Sequence, residues 1–524
     1  KFFYLLVSLL LVSFTSNLKS ATPPDEGMWI PMWIEKLNQA DMQKLGMRIT
    51  AEEIYSINNS SIKDAIVGLG PISNRYTGFF CTGEIVSSKG LILTNHHCAY
   101  GAIQSLSSIE NDYLTNGFWA MRHEEELPIE DMSISILQRI EDVTQKVLEN
   151  VTRDMTEEAR NAAINKAISE IEKQAGEKGK YIAHVSKMFY GSEFYLYVFQ
   201  AFTDIRLVGV PPNSIGKFGG DTDNWMWPRH TGDFTYLRVY SAPDGSPAAY
   251  SKDNVPMTPK HHLPISIKGV EKNDFAMVFG FPGTTDRFLT SYGVEHQLKY
   301  NNPTVVKIRD KKLDVMKSYM DQSDEIRIQY AAKHAQTANY WKYFIGQTKG
   351  LKIHNVQQRR KDLENRFAAW VNEDDTRKEI YGSVLNDIRE TYEEISKTSL
   401  LETYLQEAVF QGPEFIYFSF GMMQLGGVLK QHADAKKADK AQFQQAIKDM
   451  AESFKSQLDA HFKDYNMNLD KDLFIELIGM MYKDINPELH PEIFTQINKK
   501  FKGNFNAWAD HVYSKSIFVD KNRL

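Results

Sequence analysis

The sequence has little cysteine, no excess of basic charge and no long apolar run beyond its first residues, and each shortage limits what the protein can be. Its 61 lysines and arginines are outnumbered by 67 aspartates and glutamates, which gives a formal net charge of −6. A chain with this balance and without a long basic run has no electrostatic footprint for nucleic acid or for an anionic membrane. We therefore expect neither as a partner.

The apolar run at the N-terminus extends from Phe2 to Val12 and is flanked by one lysine and by small and polar residues. It is too short to span a bilayer and is typical of a secretory signal peptide. We expect residues 1–21 to be this signal peptide, cut near Ser20 or Ala21, with a short buried helix as the alternative. Because no later run is long enough to cross a membrane, the mature chain is not expected to span one.

Only two cysteines occur, Cys81 and Cys98, and they lie across a segment that reads as strand, turn and strand. Secretion would place them in an oxidising compartment, where disulfides persist. We expect the two to pair, with two inert buried thiols as the alternative.

The second cysteine directly follows two histidines in the run GLILTNHHCAY, residues 90–100. This arrangement resembles trypsin-like serine peptidases, in which the residue immediately before the second cysteine is the general base. On this interpretation His97 is the base and His96 its neighbour. Two histidines that only cap a strand are one alternative, and a zinc site is another. Zinc is disfavoured because adjacent side chains on an extended chain point to opposite sides, so neither a metal site nor a cofactor is expected.

A second constellation lies in KFGGDTDNWMWPRHTGDFTYLRVY, residues 217–240. A catalytic triad needs a carboxylate that orients the imidazole, and this run offers Asp221, Asp223 and Asp233. Asp233 lies at the start of an alternating strand, which fixes the direction of its side chain. Asp221 and Asp223 are flanked by glycine, so their directions are less well fixed. The alternative is an aromatic loop in which Asp233 is only a turn residue.

Two kinds of pattern divide the chain. Residues 22–285 contain short β-rich runs, including FTYLRVY and FAMVFGFPG, with Pro and Gly between them. Near residues 140–180, apolar residues at helical spacing predict a helical insertion. From residue 286 to residue 524 the same spacing recurs throughout and predicts a large α-helical domain. The pattern as a whole indicates an α+β protein.

Several longer runs resemble one family of bacterial serine peptidases, the family of dipeptidyl-peptidases 7 and 11. They include DEGMWIPMWIEKLN, LTNHHCAYGAIQ, NDYLTNGFWAMRHEEELP, DNWMWPRHTGDF and GFPGTTDRF, and ITAEEIYS leans toward the dipeptidyl-peptidase 7 branch. The resemblance implies a trypsin-like double β-barrel with a large inserted α-helical domain that caps the cleft. It also implies a homodimeric exopeptidase, in the periplasm or at the cell surface of a Gram-negative bacterium, which releases dipeptides from peptides with a free N-terminus. A hydrophobic residue is expected at P1, the position before the cleaved bond.

The resemblance also assigns roles to residues by their position in the motifs. It makes His97 the general base and Asp233 the carboxylate that orients it. Asn224 and Trp225 match residues that hold the ammonium group of the substrate's N-terminus, and Asn339, in ANYWKY, matches a third.

The serine nucleophile of the family lies in a Gly-Asn-Ser-Gly-Ser-Pro-like motif, which this sequence does not contain. The nearest text is DGSP around Ser246, which lacks the glycine arrangement that builds an oxyanion hole. We therefore expect a C-terminally truncated chain, with the second barrel and the helical domain incomplete, which is inactive alone. Two alternatives to a dipeptidyl-peptidase stay open: a trypsin-like endopeptidase and a non-catalytic periplasmic peptide-binding protein.

Overall fold

The computed structural model describes residues 28–72, 78–152, 154–434 and 440–524. The predicted signal peptide at residues 1–21 lies outside these ranges. Within them, every helix is too short or too polar to cross a lipid bilayer. The described chain is rich in β-structure up to Pro256 and helical from Ser291 onward.

Eleven strands in the described residues form a single sheet in which all pairs are antiparallel. Nine of them follow the order β4-β9-β10-β3-β2-β1-β6-β8-β7, while β5 pairs with β9 and β11 pairs with β10. The strands are β1 (Ile66–Gly70), β2 (Cys81–Ile85), β3 (Leu91–Thr94), β4 (Phe118–Trp119), β5 (Leu127–Ile129), β6 (Ser133–Asp142), β7 (Ile182–Met188), β8 (Glu193–Phe202), β9 (Asp204–Val210), β10 (Thr235–Ser241) and β11 (Val255–Pro256).

Nine of the α-helices lie between or before the strands, and the others follow the sheet. The first group is α1 (Ile34–Leu37), α2 (Gln39–Lys44), α3 (Ala51–Ile54), α4 (His96–Leu106), α5 (Tyr113–Asn116), α6 (Thr144–Leu148), α7 (Glu157–Ala175), α8 (Asn213–Gly216) and α9 (Gly220–Asp223). The second group is α10 (Ser291–His296), α11 (Asn302–Met320), α12 (Asp324–Ile353), α13 (Val356–Asn372), α14 (Asp375–Tyr381), α15 (Val384–Ile395), α16 (Ser399–Tyr404), α17 (Glu414–Asp434), α18 (Lys440–Lys463), α19 (Met467–Asp484), α20 (Glu492–Phe501) and α21 (Phe505–Lys515). Two π-helical segments are Gln297–Asn301 and Leu405–Phe410, and short 3-10 turns are Pro31–Trp33, Ile62–Asp64, His123–Glu125, Glu177–Gly179, Phe189–Gly191 and Pro487–Leu489. The interval 140–180, where the sequence predicts a helical insertion, contains α6 and α7.

The strand that leads to the histidine pair is held close to β10. β3 pairs with β10 from Leu91 opposite Arg238 to Thr94 opposite Thr235. The turn before β3 contains Gly90 at a φ of +61°, where a Cβ atom would lie 2.9 Å from the carbonyl oxygen of Val239. Only glycine combines this left-handed backbone with such a close approach, so the turn brings β3 against β10 without a clash.

The core of the sheet is completed by two helices. Ile92 of β3 and Leu237 of β10 are fully buried in one cluster, to which α4 contributes Ile103 and α12 contributes Ala331. Full burial of an aliphatic side chain such as Ile103 contributes about 1.5–3 kcal/mol to stability. The helix that begins at the histidine pair and a helix of the C-terminal half therefore pack on one common core.

Residues 257–290 form neither helix nor strand, although FAMVFGFPG, residues 275–283, reads as β-rich. Ile267 and Val278 in this segment are fully exposed. The backbone N–H of Phe281 donates to the hydroxyl of Thr82 at 2.8 Å instead of to a neighbouring strand. An apolar run becomes a strand only where a partner strand accepts its backbone hydrogen bonds, and no such partner faces this run in the described residues. The expectation of β-structure at 275–283 is therefore wrong here.

The predicted combination of antiparallel β-structure with a large set of helices is confirmed. The eleven strands belong to one connected sheet in the described residues, so the division into two trypsin-like barrels stays a prediction.

Inside the helical half, one fully buried carboxylate organises three helices. Asp470 of α19 accepts hydrogen bonds from the backbone N–H of Glu414, at 2.5 Å, and from the hydroxyls of Tyr465 and Tyr513, at 3.1 and 2.9 Å. Burial, followed by the charge of Glu414, raises the pKa of Asp470 to about 7, against the opposing effect of these hydrogen bonds. Because this folded-state pKa lies above the ordinary value of 3.8, the stability that the protonated carboxyl contributes is lost as the pH rises toward 7.

Changing Tyr513→Phe removes one donor to this carboxylate. We expect the substitution to lower the free energy of unfolding by about 1–3 kcal/mol. The decrease should be larger at pH 8 than at pH 5, because Asp470 is ionised at pH 8 and needs its hydrogen-bond donors. Urea unfolding followed by tryptophan fluorescence at both pH values measures the effect. The control is Tyr482→Phe, whose hydroxyl pairs with exposed Asn498. An equal loss at the two pH values would contradict the assigned role of Asp470.

Candidate active site

The candidate active site is built around His97, the second residue of α4. β3 ends at Thr94 and α4 begins at His96. The expectation that His97 and Cys98 lie on an extended chain is therefore wrong, because both belong to the first turn of a helix.

The chain leaves the sheet here because a side chain replaces the next strand partner. Pairing of β3 with β10 ends at Thr94 opposite Thr235. Beyond that point the carboxylate of Asp233, and not a strand carbonyl, accepts the backbone N–H of His97 at 3.0 Å. The amide of Asn95 donates to the backbone carbonyl of Asp233 at 3.1 Å. These contacts join the start of α4 to the residues just before β10.

His97 and Asp233 also meet through their side chains. The imidazole Nδ1 of His97 lies 2.7 Å from Oδ2 of Asp233. An ionised carboxylate only accepts hydrogen bonds, so Nδ1 carries the proton and Nε2 is left with its lone pair. The His97 side chain is 66% exposed, and its Nε2 can take a proton from a reacting group. This is the tautomer and orientation that a general base requires.

The charge of Asp233 is maintained by its neighbours. Burial acts to raise the pKa of Asp233, but the ring and backbone hydrogen bonds and the charge of His97 outweigh it, and Arg229 adds to their effect. The result is a pKa below the ordinary value of 3.8. Asp233 is therefore ionised at neutral pH and can stabilise a protonated His97.

His96 faces the opposite way and serves as packing. It is 1% exposed and its ring lies 5.4 Å from that of Tyr100. A Cβ atom on Gly216 would lie 2.4 Å from the His96 ring, so glycine makes room for the imidazole. Burial lowers the pKa of His96 to about 4. His96 is therefore neutral and inaccessible, and His97 alone of the pair is placed for chemistry.

A disulfide joins Cys81 to Cys98, as predicted, and ties β2 to the first turn of α4. The metal-binding alternative loses its thiolates for this reason. Sulfur and nitrogen atoms of Cys81, His97 and Cys98 lie within 4.8 Å of one another, but zinc binds the thiolate form of cysteine. In the disulfide each sulfur is bonded to the other, and neither is a thiolate.

Three residues that the sequence assigns to amine recognition meet across the two halves of the chain. The amide Nδ2 of Asn224 donates to Oδ1 of Asn339 at 2.9 Å. The indole Nε1 of Trp225 lies 3.1 Å from both Oδ1 and the backbone oxygen of Asn339. We call Asn224, Trp225 and Asn339 the amide cluster. It gathers neutral oxygen acceptors and an exposed indole, which are groups that can receive an ammonium ion.

The loop that carries Asn224 and Trp225 is held by α12. Lys342, one turn beyond Asn339, donates from Nζ to the backbone oxygens of Asp221 and Thr222 at 2.8 and 2.7 Å. A cation favours the carbonyl end of a helix, and these oxygens belong to α9, which directly precedes Asn224. Lys342 thus fixes both sides of the amide cluster relative to each other.

Arg229 lies between the amide cluster and the His97–Asp233 pair. Its Nη1 donates to Oδ1 of Asn224 at 3.3 Å, and its Nη2 lies 4.0 Å from Oδ2 of Asp233. The hydroxyl of Thr231 accepts from Nε at 3.1 Å. One guanidinium therefore contacts both groups, which places them side by side.

The other acidic candidates and the serine of DGSP have different contacts. Asp221 gives its backbone oxygen to Lys342, and both Asp221 and Asp223 lie in α9. Ser246 lies in an exposed turn and donates to Asp244 at 2.6 Å. The carboxylate that contacts His97 is Asp233, as the strand pattern predicts.

The match to a known family covers the described chain from end to end. The model of the Peptidase S46 family matches residues 24–524. The chain belongs to the Peptidase S46 family. Among curated relatives, dipeptidyl-peptidase 7 of Capnocytophaga gingivalis is 39% identical over 521 residues, which cover 99% of this chain and 70% of the relative. The Asp/Glu-specific dipeptidyl-peptidase of Flavobacterium psychrophilum is 40% identical over 495 residues, which cover 94% and 66%.

A solved structure shares the fold of this S46 chain. The crystal structure of Porphyromonas endodontalis DPP11 in complex with the dipeptide Arg-Glu superposes with a TM-score of 0.78 at 32% identity. The superposition covers 95% of this chain and 69% of the other. The S46 chain spans between 66% and 70% of the length of the two curated relatives named above.

The predicted family and enzyme class, a serine-type dipeptidyl-peptidase, are confirmed by these matches. The expected hydrophobic P1 residue is not supported. Relatives named as Asp/Glu-specific match the S46 chain as well as those named dipeptidyl-peptidase 7, at 40% and 39% identity.

Two residues of the site, Arg229 and Lys342, were not predicted from the sequence. Arg229 lies inside the run DNWMWPRHTGDF, whose specificity could have marked it. Lys342 follows Asn339 at one helical turn in ANYWKY, a spacing that places both on one face of a helix. Neither the motif nor the helical spacing indicates which groups the side chains of Arg229 and Lys342 contact.

Replacing Cys81 and Cys98 together by serine tests the disulfide in the S46 chain. The bridge closes a loop of 17 residues. We expect its loss to lower the free energy of unfolding by about 3 kcal/mol, chiefly because the unfolded chain gains freedom. Urea unfolding under oxidising conditions measures the effect, and addition of a reductant to the wild type gives an independent comparison. A variant as stable as the oxidised wild type would contradict this account.

Proposed function

We propose that this S46 chain provides the general base, the orienting carboxylate and the amine-recognition site of a serine exopeptidase that releases dipeptides from free peptide N-termini. The observation that carries the proposal is the contact of Arg229 with both Asn224 and Asp233. It sets the amide cluster next to the His97–Asp233 pair. An enzyme that cleaves the second peptide bond from the N-terminus needs its amine-recognition site at a fixed distance from its general base.

In the proposed reaction, the serine of the full-length enzyme attacks the carbonyl carbon of the second peptide bond. Nε2 of His97 takes the hydroxyl proton and then gives it to the departing amine. Asp233 holds Nδ1–H and stabilises the imidazolium that forms between these steps. The two hydrogen bonds from His97 to Asp233 keep the ring aimed throughout the cycle.

The amide cluster supports binding of the substrate's ammonium group. Oδ1 of Asn224 and the oxygens of Asn339 accept hydrogen bonds, and the face of Trp225 attracts a cation. A hydrogen bond to a charged group contributes about 1.5–3 kcal/mol. A blocked N-terminus has no ammonium to offer, so the cluster favours exopeptidase action over cleavage inside a chain.

We propose further that the sheet belongs to a trypsin-like double β-barrel. Support comes from the catalytic pair, which lies where β3 ends opposite the start of β10, and from residues 257–290, whose exposed apolar side chains need partner strands. Secretion to the periplasm or cell surface is supported by the signal-peptide pattern and by the disulfide. The homodimer is supported by the family resemblance.

The direct test uses the full-length enzyme and fluorogenic dipeptide substrates with hydrophobic or acidic P1 residues, each with a free or an acetylated N-terminus. We expect cleavage of free forms only, and a loss of about 10⁴-fold or more in kcat for His97→Ala, as for removal of a triad member. Equal cleavage of both forms would indicate an endopeptidase. No cleavage of any substrate would favour a peptide-binding protein.

Asn339→Ala tests the amide cluster separately. Because an acceptor for the ammonium is lost, we expect KM for free-amine substrates to rise about 10- to 100-fold, with a smaller change in kcat. The control is Asn372→Ala, at the exposed end of α13, which should leave KM unchanged. A KM for the free-amine substrate that stays at the wild-type value, or that rises as much in Asn372→Ala, would contradict the assigned role.

A further inference from the structure

One buried side chain, Gln104, connects the helix of the general base to the helix of the amide cluster. Its Nε2 donates to the backbone oxygen of Gln329, at 3.1 Å, and to Oδ2 of Asp464, at 2.8 Å. Its Oε1 accepts from the backbone N–H of Ala332 at 2.7 Å. Gln104 belongs to α4, while Gln329 and Ala332 belong to α12. A single amide thus bonds α4 to two positions of α12.

Burial and hydrogen bonding restrict the side chain of Gln104 to one conformation. The residue is 5% exposed, and both N–H donors and the oxygen of its side chain have partners in the protein. A buried amide without its hydrogen bonds costs about 1–3 kcal/mol. Sliding α4 along α12 by a fraction of a turn would break both bonds to α12 together.

The apolar surface on which the two helices meet is formed on the α12 side by small side chains. α12 presents Ala331, Ala332, Ala335 and Ala338 along one side, and the first three pack on the core of the sheet beside Ile103. Helices keep their register by fitting ridges of large side chains into grooves. Alanines allow close approach but form shallow ridges, so directional hydrogen bonds add to the definition of the position of α12.

Gln104 is equally far from the two functional sites when distance is counted along the helices. His97 lies seven residues before Gln104 in α4, and Asn339 lies seven residues after Ala332 in α12. Seven residues are two turns, which is about 10 Å, and return to the same face of a helix. The base and Asn339 of the amide cluster are therefore each two helical turns from this junction.

Other contacts of α12 do not replace Gln104. Lys342 binds the loop of Asn224, so it joins two sides of the amide cluster to each other and not to α4. Arg327 pairs with Asp112 at 2.7 Å, and Asp112 caps α5, so this ion pair joins α12 to α5 and not to α4.

We propose that Gln104 is a positioning residue that, together with the contact of Arg229 with Asn224 and Asp233, sets the distance between the general base and the site of the substrate's N-terminus. The inference rests on the proposed function. It adds the residue that helps to fix the length of the released product at two residues. An extended dipeptide spans about 7 Å. A shift of the amide cluster by about 1 Å relative to His97 would therefore misalign the reacting atoms, but it would not bring the next peptide bond into the site.

The test compares Gln104→Leu with a matched control, Gln329→Leu, in the full-length enzyme. Gln329 lies at the same junction, but its side chain bonds the backbone oxygen of Lys463 at 3.1 Å and not α4. Gln104→Met, which keeps the length of the side chain, serves if the leucine variant fails to fold. Thermal unfolding of each variant reports whether it is folded.

Two rates separate positioning from general damage. Hydrolysis of a free-amine dipeptide substrate needs both sites, whereas inactivation by diisopropyl fluorophosphate needs only the serine and its base. We expect Gln104→Leu to lower kcat/KM for the dipeptide about 10- to 100-fold and to change the inactivation rate by no more than about twofold. Gln329→Leu should leave both rates near those of the wild type.

A parallel fall of both rates, or no fall in kcat/KM, would overturn the inference. Failure of the proposed function has a different signature, because the wild type itself would then cleave acetylated and free substrates alike or cleave neither.

Discussion

The two-point contact between Asp233 and His97 is the constraint on which the rest of the site depends. One carboxylate receives both the backbone N–H and the ring Nδ1–H of the same residue. The backbone bond is possible because His97 stands in the first turn of α4, where N–H groups lack helical partners and a negative charge is favoured. The pairing of β3 with β10 brings the carboxylate there. Strand register, helix start and imidazole orientation are thus parts of one arrangement.

The His97–Asp233 pair lies where β3 meets β10, and α12 carries Asn339 of the amide cluster. Apolar contacts bring α12 onto the sheet through alanines that α4 also touches. Polar contacts at Gln104 and Lys342 then select one position of that helix. This order is physically reasonable, since apolar burial provides most of the free energy but is not directional, whereas hydrogen bonds are directional and individually small.

Sequence reasoning succeeds where a residue's neighbours along the chain determine its placement. His97 beside Cys98, and Asp233 just before an alternating strand, are such cases, and the disulfide followed from there being only two cysteines. It fails where the partner is remote. The helical turn at residues 96–98 depends on a carboxylate 136 positions away, and β-structure at 275–283 depends on a strand to pair with. Asn339 came from the family resemblance alone, because no local pattern distinguishes it from any other asparagine on a helix.

The packing of His96 against Gly216 has a consequence for the history of this chain. An imidazole fills the space that a side chain at position 216 would occupy, so neither position can drift while the other stays as it is. Enlargement at 216 requires a smaller residue at 96, and the two should change together across the lineage or not at all. The adjacent histidines are therefore constrained in different ways: His96 by the volume of a neighbour, and His97 by its contact with Asp233.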